Sequence, residues 1–412
     1  MSCLPRLGAF LFLLLSLAAC AAAPARTAKE PAYTPLLLVS VDGLRADALG
    51  RGDTPVLDAL AREGVQAEGM RPSFPALTFP NHYTLVTGLR PDHHGVVHNS
   101  MKDPQLGRFV VADKQAATVA GWWQAEPLWT TAERAGIATA VWAWPGATAE
   151  RDGVLPRQGQ AFDANIPLDE RVERVAAWVA APQGPRPGLV AMYFEMVDGA
   201  GHDHGPGSEQ ARAAIRTVDA AIGQLLARLE AAGVVPNVVV VSDHGMADAR
   251  NFLAVEDIAA MEEAEVVSIG QVIGLVPRAG YGDVLRARLP GRHAQYQCWE
   301  KERIPARLHY GSHPRIPPIV CQMDEGWNAL PRAMIERRNA EGRRDAGAHG
   351  YDPDLPSMRA VFLAHGPAFR RGLRLPVFDN VDVYPLLARL VGVQPQPGDG
   401  NPQTLLPALQ AP

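Results

Sequence analysis

Cysteine is scarce in this chain: there are four in 412 residues, and two of them, Cys3 and Cys20, fall within the first twenty. Only Cys298 and Cys321 remain in the body, so stability has to come chiefly from a packed core, and the 47% apolar content is enough to build a large one. Basic runs are missing too. The formal charge is -5 and no Lys/Arg block stands out, which argues against a nucleic-acid duplex as partner, because such binding rests on counterion release. A small anionic ligand stays open, since bound metal ions can supply positive charge locally. No internal repeat is evident, and nothing in the composition suggests disorder. The apolar run Leu7 to Leu17 is too short for a mature membrane span, which needs ~20 residues.

That run, preceded by Arg6, instead matches the core of a signal peptide. It ends in Leu17-Ala18-Ala19-Cys20, which resembles the lipobox of bacterial lipoproteins, whose cysteine becomes the acylated first residue; the alternative is plain cleavage near Ala23. Either reading exports the chain, to the periplasm or cell envelope, and the first anchors it to a membrane through lipid on Cys20. In an oxidising compartment the even pair Cys298 and Cys321 is expected to form a disulfide. Closing that loop would contribute about 3 kcal/mol in the chain-entropy model.

Residues 21–34 are rich in Ala, Pro and Thr and suit a tether. Beyond them the apolar runs Leu36–Val41, Ile137–Trp144, Leu189–Val197, Val238–Ser242 and Ala360–Ala364 read as buried strands. Helical periodicity lies between them, most clearly in Ser208–Ala232, where Ile215, Val218, Ile222, Leu225 and Leu229 recur on one face. Strands alternating with helices imply an α/β three-layer sandwich around a mostly parallel central sheet. From about Arg250 to Ala346 the alternation breaks down, and that segment reads as an insertion capping the active site.

Chemistry-bearing residues gather at the ends of these runs: Asp42, Asp198, His202, Asp243, His244 and, after the insertion, His349. Strand ends are where an α/β sheet assembles one site from distant segments. Three carboxylates and three imidazoles make two sets of ligands for a zinc-like ion. Asp198-Gly-Ala-Gly-His202 reads as a glycine-rich loop that lets its Asp and His converge, with His204 outside the ligand set. Asp243 and His244 are adjacent and can share a metal only if the backbone turns, which Gly245 permits. Thr78, in Phe74-Pro-Ala-Leu-Thr-Phe-Pro-Asn-His82, is the candidate nucleophile and reads equally well as a helix N-cap. A hydroxyl at a helix N-terminus lies where free N–H groups attract phosphate. These residues together read as a two-metal hydrolase.

Asp42, the Thr78–Tyr83 segment leading to Thr87-Gly88, Asp198-Gly-Ala-Gly-His202, Ser242-Asp-His-Gly-Met246 and His349-Gly-Tyr351 resemble the nucleotide pyrophosphatase/phosphodiesterase family of the alkaline phosphatase superfamily. The resemblance covers nearly the whole mature chain, and it implies an alkaline-phosphatase-like fold. Asp42, Asp243 and His244 would hold one Zn2+, which the Thr78 hydroxyl would also ligate, and Asp198, His202 and His349 the other. Asn99 would donate to a phosphoryl oxygen, and Phe79 and Tyr193 would line the pocket for the organic group. After Trp144-Pro-Gly146 no further pocket aromatic aligns, Phe162 being the candidate. The implied reaction is hydrolysis of nucleotide phosphodiester or pyrophosphate bonds to nucleoside monophosphates through a phosphothreonine. Phospholipid head groups are the alternative substrates, and a non-catalytic exported binding protein is the rival outside enzymes. An alkaline phosphatase proper would need a serine and an arginine fork beside Thr78, and a sulfatase a cysteine in its place; neither is there. The expected organisation is signal 1–19, tether 20–34, core 35–249, insertion 250–346 and core again 347–412.

Overall fold

Leu36–Val41, the first buried run, forms the centre of an eight-stranded sheet in a computed structural model that describes residues 1–2, 33–180, 185–342 and 346–411. The signal core, the lipobox with Cys20 and the tether up to residue 32 lie outside the described residues. In the sheet, Leu36–Val41 pairs in parallel with Leu189–Phe194 on one side and Asn237–Val241 on the other. Thr139–Trp142 and Gln158–Gln160 extend one edge in parallel. Phe362–His365, Val65–Ala67 and Leu373–Leu375 complete the other. Every residue of Leu36–Val41, Leu189–Phe194 and Asn237–Val241 is buried, as the unbroken apolar runs require of strands covered on both faces. Each buried aliphatic side chain contributes roughly 1.5–3 kcal/mol.

Two groups of helices cover the sheet. Pro55–Glu63, Leu168–Ala180, Met196–His204 and Glu209–Ala231 pack together, and Thr78–Thr87, Leu128–Arg134 and Val383–Val391 form the second group. The long helix begins where the sequence signals: Ser208 is its N-cap, its hydroxyl accepting from Ala211 N.

Three local expectations are corrected. Phe362–His365 runs antiparallel to both of its neighbours, although its apolar pattern is that of the parallel strands. Asp198-Gly-Ala-Gly-His202 is not a loop but lies in the helix Met196–His204. Thr78 is not the N-cap of its helix; Leu77 is, and Thr78 is the first helical residue.

The segment between Arg250 and Ala346 builds its own five-stranded antiparallel sheet, ordered Ala264–Ser268, Val272–Pro277, Ile319–Met323, Tyr296–Glu300, Gly291–Arg292. Cys298 and Cys321 are register partners on adjacent strands, both fully buried, and are joined by a disulfide. This second core continues into Ala76, Ala348 and Tyr351, so the inserted sheet is packed against the two segments that carry Thr78 and His349. Among the described residues no helix is long and apolar enough to cross a membrane.

Candidate metal centre

All six predicted ligands arrive at the carboxyl edge of the central sheet. Asp42 directly follows the strand Leu36–Val41, and Asp243 and His244 come two and three residues past the end of Asn237–Val241. Asp198 and His202 sit i,i+4 on the short helix after Leu189–Phe194, a spacing that puts both on one face. That is the convergence expected of the supposed loop, achieved by a different local structure.

The turn at Gly43 is what allows the first strand to meet this helix. Its φ is +69°, and a Cβ there would stand 3.1 Å from Asp198 Cα. Its N–H donates to Asp243 Oδ1 at 3.2 Å, tying the two carboxylate segments together.

The ligand atoms fall into two overlapping groups, Asp198/His202/His349 and Asp42/Asp198/His244, each with its donor atoms within 4.8 Å of one another. Asp198 therefore belongs to both. Asp243 adjoins the second group, with Oδ2 2.9 Å from His244 Nε2. The imidazoles of His244 and His349 stack where the groups meet, their centroids 3.5 Å apart.

These residues fit resident cations. Asp42 Oδ1, Asp198 Oδ1 and Asp243 Oδ2 are buried and lack any hydrogen-bond partner; even the 2.9 Å approach of His244 to Asp243 lacks hydrogen-bond geometry. Orphaned buried carboxylate oxygens cost several kcal/mol unless charge offsets them. The imidazoles carry the same message. His202 and His349 each direct Nδ1 to a backbone carbonyl, of Gly347 and Ala76, at 2.9 Å. The proton is thereby assigned to Nδ1, which leaves two Nε2 lone pairs facing each other at 3.1 Å. His244 is oriented likewise, Nδ1 to Gly245 O at 2.9 Å.

Protonation follows the same field. Burial, then the negative charges of Asp243 and Asp198, pushes the Asp42 carboxyl well above the usual range; burial also raises Asp198. Burial pushes Asp243 up as well, but the imidazoles of His244 and His82 outweigh it and hold that carboxyl well below. Burial and the neighbouring imidazoles hold His349 well below the histidine range, so its Nε2 lone pair is free at neutral pH. Carboxylates and neutral imidazoles in this proportion suit a zinc-like ion.

Thr78 Oγ1 lies 3.3 Å from His244 Nε2, at the first turn of its helix. Asn99 accepts from Phe79 N through Oδ1 at 3.0 Å, which fixes its side chain one residue from Thr78 and leaves the amide nitrogen to donate elsewhere. The Phe79 ring packs against Phe109 and Trp123, with centroids 5.7 and 5.9 Å away. Tyr193 is buried, and its hydroxyl donates to Asp42 Oδ2 at 2.6 Å; its ring lies between His82 and Phe162. His204, expected outside the ligand set, is exposed at the end of its helix.

Sequence reading missed one member of the site, His82. It is completely buried, with Nε2 2.8 Å from Ser40 Oγ and Nδ1 2.9 Å from Thr78 O and 3.3 Å from Asp243 Oδ2. The usable signal was its position four residues beyond Thr78, which places it under the nucleophile on the same helical face.

A predominantly parallel sheet that delivers overlapping clusters of carboxylate and imidazole to its carboxyl edge, beside a hydroxyl on a helix N-terminus, defines a metal-dependent hydrolase of the alkaline phosphatase superfamily. Residues 36–352 match the type I phosphodiesterase / nucleotide pyrophosphatase family. The chain belongs to that family, whose members hydrolyse phosphodiester bonds. It is 34% identical over 389 residues to an uncharacterized pyrophosphatase/phosphodiesterase of Schizosaccharomyces pombe, covering 90% of this chain and 80% of that one. It is 32% identical over 399 residues to ectonucleotide pyrophosphatase/phosphodiesterase family member 1 of Mus musculus, covering 92% of this chain but 43% of the relative. The chain thus spans less than half the length of that mammalian relative. Among solved structures, murine ectonucleotide pyrophosphatase/phosphodiesterase 5, as an inactive threonine-to-alanine variant in complex with AMP, superposes with a TM-score of 0.84 at 32% identity, over 92% of this chain and all of that one.

Proposed function

We propose that this chain hydrolyses nucleotide phosphodiester or pyrophosphate bonds to nucleoside monophosphates, with Thr78 as nucleophile and two zinc ions as cofactors. The observation that carries the reading is the position of Thr78 Oγ1, on the first turn of a helix and 3.3 Å from His244 Nε2, at the edge of the two ligand groups. That the related murine structure is inactive with a threonine replaced by alanine, and holds AMP, supports both the nucleophile and the substrate class.

When bound, zinc ions supply Lewis acidity that favours the ionised form of a nearby hydroxyl and offsets charge on the phosphoryl oxygens. Asp42, Asp243 and His244 would hold one ion, and Asp198, His202 and His349 the other, with Asp198 positioned to face both. Thr78 Oγ attacks phosphorus while the bond to the leaving oxygen breaks, giving phosphothreonine and the first product; water then cleaves the Thr78 ester and frees the monophosphate. The N–H groups at the helix N-terminus and the Asn99 amide receive the phosphoryl oxygens. Phe79 and Tyr193 line the side taken by the nucleoside, with Phe162 beside Tyr193.

The test is a side-by-side assay of zinc-loaded protein on p-nitrophenyl thymidine monophosphate, bis-p-nitrophenyl phosphate and p-nitrophenyl phosphate. Clear preference for the thymidine diester is expected. Preference for the monoester would overturn the reading, and equal, poor use of both diesters would direct it to lipid head groups instead.

Export and acylation on Cys20 belong to the same proposal. They rest on the lipobox-like Leu17-Ala18-Ala19-Cys20. Labelled fatty acid should enter the wild-type protein in cells and not a Cys20→Ser variant; equal labelling of both would remove the anchor.

A further inference from the structure

Arg315 belongs to the inserted segment, yet its guanidinium is buried in the catalytic core. The residue is 3% exposed. Nε donates to Asp103 Oδ2 at 2.8 Å, Nη1 to Gly95 O at 2.7 Å and to Trp122 O at 2.9 Å, and Nη2 to Gly121 O at 2.7 Å. The guanidinium also lies over the Trp122 ring, 4.9 Å from its centroid.

These partners mark out one stretch of chain. Gly95 comes four residues before Asn99, and Asp103 four after it. Between Asp103 and Trp122 lies Phe109, and Trp123 follows; both rings pack on Phe79. The stretch from Gly95 to Trp123 is therefore the wall beside Thr78, and Arg315 fastens its two ends and its middle to a single planar group. Neighbours of Arg315 reinforce the joint. Asp92 accepts from the N–H groups of Gly311, Ser312 and His313; Tyr310 donates to Val97 O at 3.0 Å; and His313 Nε2 lies 2.9 Å from Gln124 Oε1.

We propose that Arg315 is a positioning residue for catalysis: by joining Gly95, Asp103 and Gly121–Trp122, it holds the Asn99 amide in register with Thr78. The inserted segment thereby takes part in building the phosphoryl site. Lysine cannot replace it, because one ammonium cannot present donors in three fixed, coplanar directions. The proposal rests on the reading of Asn99 as a phosphoryl contact, and the experiment separates the two.

The experiment is a double-mutant cycle on kcat/KM for p-nitrophenyl thymidine monophosphate, using zinc-loaded full chain well below its melting temperature. Arg315→Lys should lower kcat/KM by roughly 10–100-fold, as sub-ångström misplacement of a transition-state donor does, but by no more than ~2-fold when Asn99 is already alanine. Equal losses in both backgrounds, or undiminished kcat/KM in folded Arg315→Lys, would overturn the proposal. Wild-type activity in Asn99→Ala alone would instead remove the reading of Asn99 and, with it, the proposal's basis. Should Arg315→Lys not fold, Asp103→Asn weakens the same joint from the other side, because one amide oxygen without charge cannot serve both Arg315 Nε and the N–H groups of Gln105 and Leu106, and the same pattern of coupling is expected.

Discussion

The two ligand groups use the same side-chain types but differ in their surroundings. Around Thr78, the side chains of Asp243 and His244 are 0% exposed and that of Asp42 2%. In the other group Asp198 is 18% and His202 37% exposed, with only His349 close to buried. The first group is closed by Gly43, Tyr193 and His82 packed behind it. The second rests on one helix and one loop. Two carboxylates and an imidazole on the buried side, and one carboxylate and two imidazoles on the exposed side, should hold ions with unequal kinetics, because an ion leaves fastest where water and a chelator can replace its ligands one at a time.

The sharpest way to break that comparison is to remove the group that needs the buried side. Thr78→Ala should lower turnover by at least ~10³-fold while the zinc content stays at the wild-type value, because the nucleophile is lost and the six Asp and His ligands are not. Retained turnover would show that the buried group does not serve Thr78. Next in size, chelation of zinc-loaded protein followed by a colorimetric zinc indicator should be biphasic, with phases separated by about 10-fold or more if ligand exposure controls release. His202→Ala should abolish the fast phase and leave the slow one; a single phase carrying both ions would erase the distinction.

A smaller effect probes the support behind the buried group. Tyr193→Phe keeps the ring and removes only the donor to Asp42, so it should weaken zinc binding by about 10-fold, in the range for lost outer-shell partners, with little change in nucleotide KM. A raised KM with normal zinc affinity would show that the hydroxyl serves the nucleotide and not the Asp42 ligand.

The smallest effect is on stability, and its sign depends on metal. In metal-free protein Asp42 keeps its proton to a higher pH than the unfolded chain does, because burial and the Asp243 and Asp198 charges disfavour its ionised form. Between the unfolded value of about 3.9 and that raised value, the folded state binds more protons, so stability falls as pH rises. Asp42→Asn removes this loss. Metal-free Asp42→Asn should therefore melt above metal-free wild type near neutral pH, the gap closing toward pH 4, and zinc should reverse the order. Calorimetry with and without chelator checks it, and a gap that ignores pH would refute the cause.

Much of this was legible in the sequence because burial on both faces writes itself as unbroken apolar runs, and because metal ligands must follow them at the carboxyl edge. Asp42, Asp243 and His244 were singled out that way, and the periodicity within Ser208–Ala232 announced the long helix. What was not legible depends on three-dimensional partners. An apolar run such as Phe362–His365 reads the same in either direction, so its antiparallel pairing left no trace. Gly199 and Gly201 suggested a loop after Val197, but Gly201 serves a different end: a side chain there would press on Met246, whose Cε stands 3.0 Å from the Cβ position. His82 was hidden because a lone histidine within a helix reads as core until the carboxylate opposite it is known.

The turn at Gly43 bears on anyone who would rebuild this centre elsewhere. With φ at +69° and Asp198 Cα 3.1 Å from where a Cβ would be, a side chain at this position is strained and crowds the backbone of the helix that carries Asp198. Alanine would press the first strand away from the helix that carries Asp198 and so pull Asp42 and Asp198 apart. A transplanted site with all six ligands copied and this glycine overlooked would bind at most one ion well, and a designer searching for the fault among the ligands would be looking one residue too early.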